Sequence, residues 1–596
     1  MGFGILWSRP TFVLGILGAL SLLTLAACGA PATPTATAVP PTATATSQPA
    51  TPTPTTAPGA TATTVVAAPT ATSTPSPTPV PTVQPKQGGI IKQTSSADPI
   101  SFDPLSTTGG NDNTHNAKMY SNLLWNPEKD IVVPDAAESY TVSADGKVWT
   151  FKLRPNVKFH TGYEPKNARD GTLVTAKDVK YSLEKIMGLT SDVLSPRSGF
   201  IKEFVDIDRP DHGLEVVDNL TLRIHLVQPF GGLAATLAIG YSAIVPEGIT
   251  ARDMAVRPFG SGPFRLKSFQ RGALWVYERN PEYFKAGLPY LNQTQPVIMD
   301  GRAIIEAAFL TGKLDVATGA GPATPDSKGI VEARVKAGTM QINPYNSQCR
   351  PQTLNMNSTK PPFNDKRLRD AINLGIDREA YSQVVWQGFT IPTLYLDTNG
   401  LGKTSEEIMK LPGWRKPHDA DFQQAKAAIA QLYPKGLEVK QMTRNTSSYM
   451  TEGEFLAGEL RKLGINVTIE ILDATIVFDR AAKLDYNLWS YYFCQTTGTP
   501  EELFGGYFVT GGSRNWIGYS DPKIDVAYRD MAATSDPVQR KQKAQAMEQT
   551  ILDFMPSAPL PVQLQENWAY SYVHHFEYGI ASYTSAKYEL VWRSDV

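Results

Sequence analysis

From Ala30 to Pro85 the chain carries no charged and no aromatic residue, and nearly every position is Ala, Pro, Thr or Ser. Such a segment cannot bury enough apolar surface to offset its ordering entropy, so it is expected to stay disordered. Proline keeps it extended, with a reach of at most about 170 Å at 3.1 Å per residue in polyproline form. The segment divides the chain. What folds must lie after it, from near Lys86 to Val596, and that length is still too great for one core.

The residues before it explain where the chain works. Arg9 precedes an apolar run, Thr11 to Ala27, too short and too poorly flanked for a membrane span. It reads as the hydrophobic core of a secretory signal. The run ends in Leu25-Ala26-Ala27-Cys28, followed by Gly29. Small residues before a cysteine resemble the bacterial lipobox, in which the thiol is acylated and the cysteine becomes the first mature residue. Acyl chains contribute about 0.8 kcal/mol per buried methylene, so two or three make a stable anchor. Residues 1–28 are thus expected to be a lipoprotein signal and 29–85 a tether. The folded body would be exported and held on the outer face of the cytoplasmic membrane.

Charge narrows the partners. The 56 basic and 57 acidic side chains leave a formal net charge of -1. Without a basic stripe for phosphate backbones, nucleic-acid binding is excluded as an expectation.

Several segments have legible local structure. Thr141 to Arg154 predicts a hairpin with Asp145-Gly146 at the turn and Trp149, Phe151 and Leu153 on one face. Thr175 to Asp178 predicts a capping box, followed by a helical stripe of Val179, Leu183 and Ile186. Leu220, Leu222, Ile224 and Leu226 alternate as a strand, with His225 on its polar side. Leu437–Thr443, a helix near Glu452–Leu463 and the alternation of Ile465, Val467, Ile469 and Ile471 predict a βαβ unit with Gly464 at the helix end. A further helix is expected to be capped by Asn364, with Leu368, Ile372 and Ile376 stacked at four-residue spacing and its charges mostly scaffold and solvated face.

Read in order, these pieces resemble the family 5 extracellular solute-binding proteins of bacterial importers. The resemblance runs from Gly88 to about Pro561. It is carried by Pro134-Asp135-Ala136-Ala137-Glu138-Ser139-Tyr140, by Phe151-Lys152-Leu153-Arg154, by Val157 to Gly162 and by Thr175 to Leu183. Further on it is carried by Gly260-Ser261-Gly262-Pro263-Phe264, by Arg279-Asn280-Pro281-Glu282-Tyr283-Phe284, and by Pro362 to Asp365 with Ile376-Asp377-Arg378-Glu379. The resemblance implies an α/β, two-lobed periplasmic-binding-protein-like fold of type II, large class, with an extra subdomain and mixed sheets joined by a two-segment hinge. Lobe 1 would span 86–345, with the subdomain at about 120–250. Lobe 2 would span 346–560, and 561–596 would return to lobe 1. It implies a monomer that captures a small solute, peptide or oligosaccharide, and delivers it to an ABC permease. A receptor or chaperone lipoprotein that binds without transport stands as the alternative.

Besides Cys28, the cysteines are Cys349 and Cys494, an even pair in an oxidising compartment. Both resemble the disulfide positions of oligopeptide binders. Peptide binders of the family generally place an aspartate two residues after the second cysteine, to neutralise the peptide's ammonium, and here Thr496 stands there. A buried ammonium without a counter-ion is costly. Either another carboxylate, such as Glu501 or Glu502, meets it, or the solute lacks a free amine, as an oligosaccharide does; the expectation is a solute without a free amine. Trp489, Tyr491 and Tyr492 supply flat faces with polar tips, and alternation sends the two tyrosines to opposite sides. Trp386 is a similar candidate, and Asn113 and His115 are placed in a polar loop near the lobe 1 entrance.

No enzyme chemistry is visible. The seven histidines form no HExxH, there is no GxSxG elbow, and Gly402-Lys403-Thr404 lacks the first glycine of a P-loop, with Asp397 in its place. The sequence points to no catalytic residue, no metal and no cofactor.

Overall fold

A computed structural model describes residues 84–596, apart from 108, 129–130, 191–194, 347–348, 397–399, 496, 535 and 577–584. Cys28, the tether and Thr496 therefore lie outside the described residues.

Two mixed sheets and one antiparallel sheet organise the body. The first sheet runs Met340–Asn346, Val562–Tyr570, Val316–Ala317, Ile90–Ser95, Gln293–Ile298, Leu274–Arg279 and Phe264–Gln270. Ile90–Ser95 pairs parallel to Gln293–Ile298, and the later neighbours pair antiparallel. The second sheet runs Ile465–Leu472, Leu437–Arg444, Leu488–Cys494, Cys349–Met356 and Ser557–Leu560. The chain crosses from the first to the second after Asn346 and returns at Pro561. Beside the return crossing, Thr390–Ile391 pairs with Val562 and Gln563.

The βαβ reading holds. Leu437–Arg444 and Ile465–Leu472 pair in parallel through the helix Ser447–Lys462. Gly464 adopts φ +92°, a conformation that a Cβ would strain, and so turns the chain from helix to strand. The antiparallel sheet of Ala137–Val142, Val148–Leu153, Thr221–His225 and Leu214–Asp218 contains the expected hairpin, with Gly146 at φ +71°. Next to it, the Asp178 carboxylate accepts from the Thr175 N–H at 2.8 Å and caps the helix Ala176–Ile186. Val179, Leu183 and Ile186 are buried as their spacing requires.

Two local expectations are corrected. The helix Lys366–Gly375 is capped by Asp365, which accepts from the Arg367 N–H at 2.9 Å, rather than by Asn364. Asn364 belongs to the preceding turn, its N–H bonded to the Lys360 carbonyl, so Asp365 is the residue that stands at the helix entrance. Arg369 and Arg378 lie in the interior, not on a solvated face. Arg369 donates to the carbonyls of Phe363, Phe554 and Met555 and closes the open end of a helix.

The antiparallel sheet's neighbourhood touches the second half directly. Phe204 meets Tyr528 edge-on at 5.8 Å, Gln228 donates to the Arg529 carbonyl, and Ser513 donates to the Pro196 carbonyl.

Candidate functional site

The strand Leu488–Cys494 organises the site through its alternation. Trp489 and Tyr491 point to one side, stacked 4.4 Å apart, with Phe478 and Trp516 against them. Both are fully or nearly buried, in a hydrophobic cluster that continues into first-half residues such as Phe204 and Phe230. Tyr492 points to the other side and meets Tyr449 edge-on at 5.3 Å.

Behind Tyr492 lies a polar cluster. Gln352 sits directly opposite it on the neighbouring strand. Tyr381 reaches in from the helix Arg378–Trp386, and Glu452 from the helix Ser447–Lys462. Trp386 joins by donating its Nε1–H to the Tyr381 hydroxyl at 3.1 Å. Glu452 is 0% exposed and neither of its carboxyl oxygens has a hydrogen-bond partner; both side-chain amide atoms of Gln352 are in the same state. Burial pushes the Glu452 carboxyl up to about 8, and the nearby Gln352 and Tyr381 side chains only temper this.

In front of Tyr449 stands Arg444, the last residue of its strand. Its guanidinium lies 4.7 Å from the Tyr449 ring centre and 5.6 Å from that of Phe478. Among the described residues no carboxylate pairs with it, and its Nε is buried without a partner. Tyr449 thus lies beside the Arg444 guanidinium and near the Glu452 carboxyl.

The two carboxylates named as alternative counter-ions are already engaged. Glu501 is held by Arg540 at 2.5 and 2.7 Å. Glu502 pairs with Arg514 at 3.0 Å and accepts from the N–H and hydroxyl of Thr497. Both are fully buried and already neutralised. Asn113 and His115 are not in a solvated loop but on the helix Gly110–Asn116, where both are 0% exposed. His115 shares hydrogen bonds with Tyr277 at 2.6 Å and Ser95 at 3.1 Å, and burial, then the charge of Lys118, hold its ring well below its ordinary basicity. Asn113 has both side-chain amide atoms buried without a partner. Among the described residues, no cluster of His, Cys, Asp and Glu could hold a metal.

Tyr492 and Trp386 are therefore brought to one cluster, Trp489 and Tyr491 to the opposite face, and Asn113 and His115 to the first half. Arg444, Tyr449, Gln352, Tyr381 and Glu452 were not anticipated. Glu452 had a signal: it is in phase with Leu456, Leu460 and Leu463, a charge on an apolar stripe.

Residues 132–515 match the family model described as bacterial extracellular solute-binding proteins, family 5, middle. The chain belongs to this family. Among family 5 relatives, the probable D,D-dipeptide-binding periplasmic protein DdpA of Escherichia coli is 27% identical over 77% of this chain and 85% of its own. The glutathione-binding protein GsiB of Pectobacterium atrosepticum is 25% identical over 71% and 79%. The oligopeptide-binding protein AppA from Bacillus subtilis, solved with a nonapeptide, superposes with a TM-score of 0.70 at 20% identity, covering 86% of this chain and all of that one. The fold is that of the type II binding proteins, and family and fold alike are those of binding proteins rather than enzymes. A family 5 protein captures solute outside the cytoplasm, and that is the role of this chain as well.

Proposed function

We propose that the chain captures a peptide or peptide-like solute bearing a free carboxylate and delivers it to an ABC permease, while lipid-anchored through Cys28. Arg444 carries this reading. A half-buried guanidinium beside two aromatic rings, with no acidic partner among the described residues, is a strong site for a ligand carboxylate. The relatives' printed solutes, a D,D-dipeptide and glutathione, are carboxylate-bearing. The aromatic faces that would suit sugar rings, Trp489 and Tyr491, are spent on packing one another.

In this reading lobe 1 is built on the first sheet and lobe 2 on the second, with the crossings after Asn346 and at Pro561 as the hinge. Cys349 and Cys494, opposite one another in the antiparallel ladder, form a disulfide across the strand ends nearest that hinge. The protein acts as a monomer.

Deleting the chain in its host and following uptake of labelled di- and tripeptides tests the transport role. Loss of uptake supports it. Intact uptake, with stabilisation of the purified protein by the same peptides, would mean a sensor.

A further inference from the structure

Resting on the peptide reading, we propose that Glu452, with Gln352 and the hydroxyls of Tyr381, Tyr449 and Tyr492, is a receptor for the solute's primary ammonium group. It would meet the charge for which Thr496 supplies no carboxylate, so the solute carries a free amine, contrary to the expectation drawn from Thr496 alone.

Both Glu452 oxygens and both Gln352 amide atoms are buried and unpartnered. Leaving such groups unmet is costly, so the facing Glu452 carboxyl and Gln352 amide favour a polar occupant. Glu452 with the Gln352 carbonyl presents three acceptors, and the tyrosine hydroxyls add more. A primary ammonium brings three donors and one positive charge to match. Arg444 and Glu452 both lie near Tyr449, so one solute's carboxylate and amine would be read around a single ring. Tyr449 and Tyr492 are the partly exposed members of the cluster, so entry lies between their rings. The other candidates for this task, Glu501 and Glu502, already carry arginines.

The chemistry predicts a proton signature. The titratable and charged groups facing Glu452 are Tyr381, Tyr449 and Tyr492, with Arg444 beyond Tyr449. In the empty protein the carboxyl keeps its proton below about 8. A peptide amine holds its own proton below roughly 7.7–8.0. At pH 6.5 the arriving ammonium therefore ionises Glu452, and one proton leaves to buffer. At pH 9.5 the carboxyl is already ionised and the free amine is neutral, so forming the same pair takes one proton up.

Titration calorimetry of the full chain with trialanine and N-acetyl-trialanine, in buffers of different ionisation enthalpy, tests this. The wild type should prefer trialanine by about 30-fold, releasing a proton at pH 6.5 and taking one up at pH 9.5. Glu452→Gln should lose the preference and the proton exchange while keeping affinity for the acetylated peptide. Equal affinity of the wild type for both peptides, or proton-neutral binding at both pH values, would overturn the ammonium site and leave the peptide reading standing. These wild-type results decide the matter even where the variant does not fold. Binding of neither peptide would overturn both.

Discussion

The Arg378 guanidinium donates from Nε to the Pro559 carbonyl at 2.9 Å, two residues before the chain crosses between the sheets at Pro561. The same side chain donates to the carbonyls of Gly413 and Asn373 and lies 4.5 Å from the Trp414 ring centre. Three chain segments thus meet on one buried cation. Its partners are carbonyl dipoles rather than carboxylates, and burial lowers the pKa of the guanidinium to about 9. Arg378→Ala would leave those carbonyls unmet and open a void, so stability should fall by about 3–5 kcal/mol. Denaturant unfolding checks this; a loss under 1 kcal/mol would show that the cation is dispensable.

The C-terminal segment should be held by charge and released by acid. Asp135 is buried, which alone would raise its carboxyl, but Lys285 and Lys587 outweigh burial and hold it well below the usual range. Lys285 also bridges to Glu589 at 2.8 Å. A lowered folded-state value contributes stability above the unfolded value, about 3.9, that disappears as pH falls through the folded one. Lys587→Ala should therefore cost about 3 kcal/mol at pH 7, with the gap to wild type shrinking below pH 4. Unfolding midpoints across pH 2 to 7 measure it. A gap independent of pH would assign the loss to packing alone.

Cys349 and Cys494 stand opposite in register, and directly opposed antiparallel residues have Cα spacings within the range a disulfide spans. The purified protein should gain the mass of two hydrogens on reduction and lose about 3–5 kcal/mol of stability. Alkylation of both thiols without prior reductant would contradict the bond.

Much of the scaffold was legible because its signals are local. Asp145-Gly146, the Thr175 to Asp178 box and the alternation after Gly464 each declare themselves within a few residues. The signature helix was placed but its cap shifted by one residue, since Asn364 and Asp365 are equally good caps and only the preceding turn decides between them. What was not legible depends on distant partners. Arg540 lies far along the chain from Glu501, so nothing local marks that acid as neutralised. Gly110–Asn116 is polar throughout and has no apolar period to betray a helix; its side chains are buried because the surrounding fold covers them.

Arg444 bears most of the functional reading, and calorimetric titration of the full chain with trialanine and its C-terminal amide tests it most directly. Trialanine should bind one to one, with the amide and the Arg444→Ala variant each weaker by about 10- to 100-fold. Equal binding of acid and amide, or saturable binding of a cello-oligosaccharide by a protein that ignores peptides, would contradict it.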